Sequence, residues 1–119
     1  MENILKSIEF KNIENENTLL SNVLGFEIYK IKQHGNDIMY KVGNKDKWEE
    51  KFINIHELAY ECKKWAHSNK ILIYSRHDNV PNLWQAYINL NITTIHTELG
   101  NNEPEAIFKI TKWILKNLI

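Results

Sequence analysis

The chain's 119 residues suffice for one domain with a real core but not for two ordinary ones, and 43% hydrophobic residues with no low-complexity tract exclude a disordered chain. Fifteen Lys+Arg balance fifteen Asp+Glu, so there is no bulk field for nucleic acid or an anionic membrane, and any such binding needs a local patch. Arg76 is the only arginine and Cys62 the only cysteine, which leaves few bidentate phosphate contacts and no intramolecular disulfide.

The opening "MENILKSIEF" lacks the basic start and apolar run of a signal peptide, and no stretch approaches the length of a membrane span. A reducing, cytoplasmic setting without membrane association is therefore expected. "ILKSIEF" reads as a strand or a single helical turn. "ENTLLSNVLG" reads as a short helix closed by Gly25. "FEIYKIK" and "DIMYKV" read as two strands joined through His34, Gly35 and Asn36, and "GNKDKWEEK" as a charged loop.

The clearest element is "NIHELAYECKKWAHSN". Ile55, Leu58, Ala59, Cys62, Trp65 and Ala66 recur at spacings of three and four, which places them on one side of a helix. Asn54 stands at the N-cap position, with Glu57 three residues on to complete a capping box. Burying that stripe is worth on the order of 10 kcal/mol before entropy is subtracted, so the helix needs a partner surface.

Three strands are expected next: "KILIYSR"; "LWQAYINL", whose alternation puts Trp84, Ala86, Ile88 and Leu90 on one face; and "ITTIHTEL". "HDNVPN" and "NLN" supply the turns, too short for parallel crossovers, so the strands form an antiparallel meander. "NNEPEAIFKITKWILKNLI" closes the chain as a helix, with Asn102 and Glu105 as a capping box, Pro104 in the first turn, and Ile107, Ile110, Trp113, Ile114 and Leu118 as its apolar face. The expected fold is thus α+β: a three-stranded antiparallel meander plus a hairpin from the N-terminal half, packed by two amphipathic helices. It is read as a single domain over residues 1–119, with residues 1–50 a β-rich extension and residues 51–119 a helix–three strands–helix unit.

Several residues invite a chemical reading. "HELAYE" begins like a zinc helix, but the position four after His56 is Tyr60, so one imidazole stands alone and His56 and Glu57 read as first-turn and capping residues. His77 and Asp78 in a turn, with His96 and Glu98 two apart on a strand, could ligate a metal or move a proton if the sheet brought them together. Cys62 falls on the apolar stripe of its helix, where a small core residue is expected rather than a nucleophile. The row Lys109, Lys112 and Lys116, with Lys63 and Lys64 on the other helix, could meet phosphates or simply be a solvated face. Trp48, amid the charges of Lys45 to Lys51, is either an anchor folded onto the core or an exposed contact for a partner, with Lys45 and Lys47 beside it. Tyr29, Tyr40, Tyr74 and Tyr87 would form a contact surface if a sheet face is left uncovered.

The pair "INIHELAYECKKWA" and "NEPEAIFKITKWIL" resembles the flanking helices of small, mostly uncharacterised proteins carried by phages, prophages and plasmids. That resemblance spans about residues 53–118 and implies an αβα-sandwich-like helix–three strands–helix unit; it carries over no functional residue. The function expected from it, and from the lack of a catalytic signature, is a non-enzymatic interaction protein of a mobile element that binds and inhibits a host macromolecule such as a bacterial defence (CRISPR-type) complex, an anti-CRISPR protein being one instance. A protein or ribonucleoprotein partner and no cofactor are expected, with Trp48, Lys45, Lys47, Lys109, Lys112 and Lys116 as candidate contacts. The alternatives are a nucleic-acid-binding module using the lysine rows, and a metal-dependent hydrolase built on His77, Asp78, His96 and Glu98. Homodimerisation through an uncovered sheet edge is a further option.

Overall fold

A computed structural model describes residues 17–79 and 82–119. Its elements are α1 (Asn17–Leu24), β1 (Ile28–His34), β2 (Asp37–Gly43), β3 (Trp48–Asn54), α2 (Ile55–Ser68), β4 (Ile73–Asp78), β5 (Leu83–Leu90), β6 (Thr93–Gly100) and α3 (Glu103–Asn117). The strands form two antiparallel meanders, β1-β2-β3 and β4-β5-β6, and the class is the expected α+β. The chain divides into two compact units, Met1–Leu58 and Ala59–Ile119, with the division one turn into α2. The segment "ILKSIEF" lies outside the described residues.

In the N-terminal unit α1 buries Leu19 and Leu20 and packs on β1. It ends where expected: Gly25, at φ 76, donates its N–H to the Ser21 carbonyl at 2.9 Å, a left-handed closure that costs glycine nothing. The hairpin β1–β2 turns at Gly35 and Asn36, and its register pairs Ile31 with Tyr40 and Gln33 with Ile38. Ile28, Ile31, Ile38 and Tyr40 are buried, and burial raises the Tyr40 phenol above its ordinary pKa.

The charged loop expected at "GNKDKWEEK" is shorter than the sequence suggests. Only residues 44–47 turn, held by the Asn44 Oδ1, which accepts the N–H groups of Asp46 at 2.9 Å and Lys47 at 3.0 Å. From Trp48 onward the chain is a third strand, pairing Gly43 with Trp48, Lys41 with Glu50 and Met39 with Phe52. The hidden signal is physical. β3 is an edge strand whose Trp48, Glu50 and Phe52 are all exposed, so it shows none of the apolar alternation that betrays a half-buried strand.

The cap on α2 is the predicted reciprocal one, shifted by a residue: Asn54 Oδ1 accepts from the His56 N–H at 2.9 Å, while Glu57 Oε1 accepts from the Asn54 N–H at 3.2 Å. This is also what "HELAYE" amounts to: His56 and Glu57 are exposed residues of the first turn, Glu57 serving in the cap, while Leu58 and Ala59 are buried.

In the C-terminal unit, α3 packs across β4, β5 and β6. The register places Ile73, Ile88 and His96 in one row and Ser75, Ala86 and Glu98 in the next, all on the helix-covered face. Ile73, Ala86, Ile88 and Gly100 are buried there, with Ala106, Ile107, Ile110 and Ile114 of α3 buried as well. Leu90 departs from the expected alternation. A register shift between Ile88 and Asn89 breaks the pleat, and Leu90 emerges 65% exposed.

Two close approaches hold this unit's ends. The Asn102 side chain accepts from the Glu105 N–H at 3.0 Å, with Pro104 in the first turn, as read from the sequence. Gly100 sits so near the start of α3 that a Cβ there would stand 2.5 Å from the Ala106 nitrogen. Cys62 of α2 lies fully buried against Thr111 of α3, and burial first of all, with the nearby Glu61 charge adding to it, pushes its thiol up to about 12 against a lowering hydrogen bond from Thr111. Among the described residues no helix is long and apolar enough to cross a membrane.

Candidate functional site

The four residues of the hydrolase reading do not meet. His77 and Asp78 are the last two residues of β4 rather than part of a turn, so their side chains leave opposite faces of the sheet. His77 pairs across to Trp84 and bonds Asn82 through Nε2 at 2.8 Å. Asp78 turns to the other face, where it meets Arg76 at 3.3 Å and accepts from the Gln85 amide. His96 and Glu98 do share the covered face of β6, their Nε2 and Oε2 2.5 Å apart, and the imidazole stacks on Trp113 with ring centroids 4.1 Å apart and planes 9° from parallel. Strand β5 stands between the two pairs. Among the described residues no group of three or more His, Cys, Asp or Glu side chains is placed to hold a metal ion.

A polar chain that no sequence spacing announced crosses the covered face beside them. Lys63 Nζ donates to Ser75 Oγ at 2.9 Å, and Ser75 Oγ donates to Glu103 Oε2 at 2.6 Å. All three groups are half-buried, and a lysine–serine–carboxylate chain tying α2, β4 and α3 together satisfies the hydrogen-bonding needs of that boundary.

The candidate lysines fall in two places. Lys109 folds onto its own unit, donating to the Leu99 carbonyl at 3.0 Å and standing 3.6 Å from Glu105, while Lys112 and Lys116 are exposed. Lys45 and Lys47 are exposed in the β2–β3 turn. Trp48 begins β3 with 46% of its surface exposed, and Lys41 Nζ lies 3.9 Å from its ring centroid. Of the four tyrosines on strands, Tyr40 is buried and Tyr29 exposed; Tyr74 and Tyr87 stack at 5.4 Å on the face of β4-β5-β6 that α3 leaves open.

The feature sequence reasoning missed lies at one end of the C-terminal unit. The loop before β4, the β5–β6 turn and the end of α3 there enclose a cleft of about 460 Å³, bordered by Leu72, Tyr74, Leu90, Ile95 and Leu118, with Lys70 its only charged residue among those described. All five are exposed, and Ile92 in the adjoining turn is 96% exposed. The available signal was Ile92 itself, an aliphatic residue directly after the turn residue Asn91 (φ 60), where a polar one belongs. No family model matches the chain, and neither does any curated protein or solved structure.

Proposed function

We propose that this chain is a non-enzymatic interaction protein that works by seating apolar side chains of a protein partner in the cleft between the β5–β6 turn and the end of α3. The observation that carries the reading is the concentration of exposed aliphatic side chains there: Leu72 is 52% exposed, Leu90 65%, Ile95 43% and Leu118 46%, with Ile92 in the adjoining turn 96% exposed. Leaving such groups in water forgoes about 25 cal/mol per Å² of apolar area, and soluble domains keep contiguous patches of this kind mainly where something covers them. With one lysine on its border, the cleft favours uncharged partner side chains over phosphates. The resemblance of the two helices to proteins of phages and plasmids adds the expectation that the partner is a host macromolecule, a defence complex among them.

The test pairs the wild-type chain with a Leu90→Asp/Ile92→Asp double variant, both sites being exposed so that folding should survive. A host protein retained in stoichiometric amount by the wild type and lost by the variant supports the reading. Capture by both alike, or by neither, overturns it. Sedimentation of the two proteins alone shows whether a second copy of the chain is the partner, in which case the wild type self-associates and the variant does not.

A further inference from the structure

The open face of the other sheet has a different chemistry. In β1-β2-β3, the residues opposite the buried Ile31, Ile38 and Tyr40 form two rows across the strands: Lys30, Lys41 and Glu50 in one, Lys32, Met39 and Phe52 in the next. Trp48 stands at the end of β3 on the same face, paired to Gly43. Phe52 is 69% exposed and Trp48 46%, while Lys30 and Lys32 are exposed and form no ion pair among the described residues. The face is therefore graded. Cations stand on β1 and β2, and the two flat aromatic rings stand on β3.

We propose that this face binds single-stranded nucleic acid, with the phosphates over Lys30, Lys32 and Lys41 and unpaired bases on Trp48 and Phe52. Charge complementarity selects a polyanion, and the exposed rings select one that carries unpaired π-faces. The geometry suits a strand. Trp48 and Phe52 lie four residues apart on β3, about 14 Å, which leaves room for an intervening nucleotide. Glu50 lies between them on β3, directly across from Lys41, where it repels phosphate and keeps the backbone toward β1. Lys41, 3.9 Å from the centroid of the Trp48 ring, ties the two halves together: its ammonium can hold a phosphate while the other face of the indole takes a base. Duplexes hide their base faces, and an acidic peptide offers nothing for the rings, so neither matches both halves of the surface.

The experiment uses the full chain with labelled oligothymidine and oligouridine of about 16 nucleotides, the matching duplex, and polyglutamate, read by fluorescence anisotropy. Both single strands should bind, and their ratio tells whether DNA or RNA is preferred. Neutralising three phosphates gives a salt slope of about −2, so affinity should fall about 20-fold between about 50 and about 200 mM salt. Phe52→Ala and Trp48→Ala should each weaken single-strand binding at least fivefold, and Lys30→Glu/Lys32→Glu should abolish it. Glu50→Lys should tighten it and steepen the slope, which guards against variants that merely misfold. Duplex or polyglutamate bound as tightly as single strands overturns the proposal, as does Phe52→Ala binding like wild type. The surface shares no residue with the apolar cleft, so Leu90→Asp/Ile92→Asp should bind oligonucleotide unchanged.

Discussion

Cys62 offers a sharp test of how the C-terminal core is built. Its side chain has no exposure, and burial pushes its thiol from an ordinary 9.0 to about 12. The folded state therefore holds this proton more tightly than the unfolded chain does. Below pH 9 both states are protonated and the group has no effect on the pH profile. Between pH 9 and 12 the unfolded chain alone ionises, so stability falls as pH rises, by about 1.4 kcal/mol per pH unit. Carrying the wild type from pH 8 to pH 10 should thus cost about 1.4 kcal/mol that Cys62→Ala does not lose, a relative shift of about 1 M in a urea midpoint. Tyr40, whose pKa burial also raises, contributes to both proteins and cancels in the comparison. Urea unfolding of each protein at the two pH values, under reducing agent, measures the difference. Equal pH dependence in the two would refute the assignment of Cys62 to a dry core, since a thiol reached by water has nothing to hold its proton.

Gly100→Ala should destabilise by about 2 kcal/mol or more, because its Cβ would meet three backbone atoms within 3.0 Å, none of which can rotate away; thermal unfolding measures it. Gly25 is the contrasting case. A Cβ there meets nothing within 4 Å and only the φ of 76 resists, so Gly25→Asn, which tolerates that region, should cost under about 1 kcal/mol while Gly100→Asn fails to fold stably. Asn102→Ala removes the acceptor for the Glu105 N–H and should lower stability by about 1 kcal/mol, with Asn102→Ser recovering most of it. In Arg76→Ala the loss should stay within about 0.5 kcal/mol, the arginine of the pair with Asp78 being largely exposed.

Much of the architecture was legible because burial imposes a period. Of the stripe read on α2, Ile55, Leu58, Ala59, Cys62 and Ala66 are buried and Trp65 is half-buried; of the face read on α3, Ile107, Ile110 and Ile114 are buried and Trp113 half-buried, while Leu118, at the C-cap, is exposed. Strand β5 runs over the very residues, Leu83–Leu90, that alternation marked. What escaped was whatever burial does not shape. Strand β3 carries exposed charges and rings, so its pairing with β2 leaves no periodic trace. The placement of His77 and Asp78 in a turn failed for a related reason: polar residues at the end of an exposed strand look like loop, and the one-residue alternation that sends them to opposite faces becomes visible only once the ladder to Trp84 and Leu83 is known.

The same reasoning locates the surfaces. A hydrophobic period reports which side chains a fold must hide, and it is silent about those it leaves out, so an interaction surface should appear as an exception to the period rather than as part of it. Phe52 and Ile92 are such exceptions, one in a run of charges and one directly after a turn residue; Phe52 stands on a surface to which binding is assigned and Ile92 in the turn that adjoins the other. Trp48 stands out by that rule within the charged run, and Phe52, four residues on, does not, because it falls just before the helical stripe that starts at Ile55. If the rule is sound, Phe52→Ser and Ile92→Ser should each leave the urea midpoint unchanged or raise it, since they remove apolar groups from water and not from a core. A loss of more than about 1 kcal/mol at either site would place that side chain inside a packed interior and remove its surface from consideration.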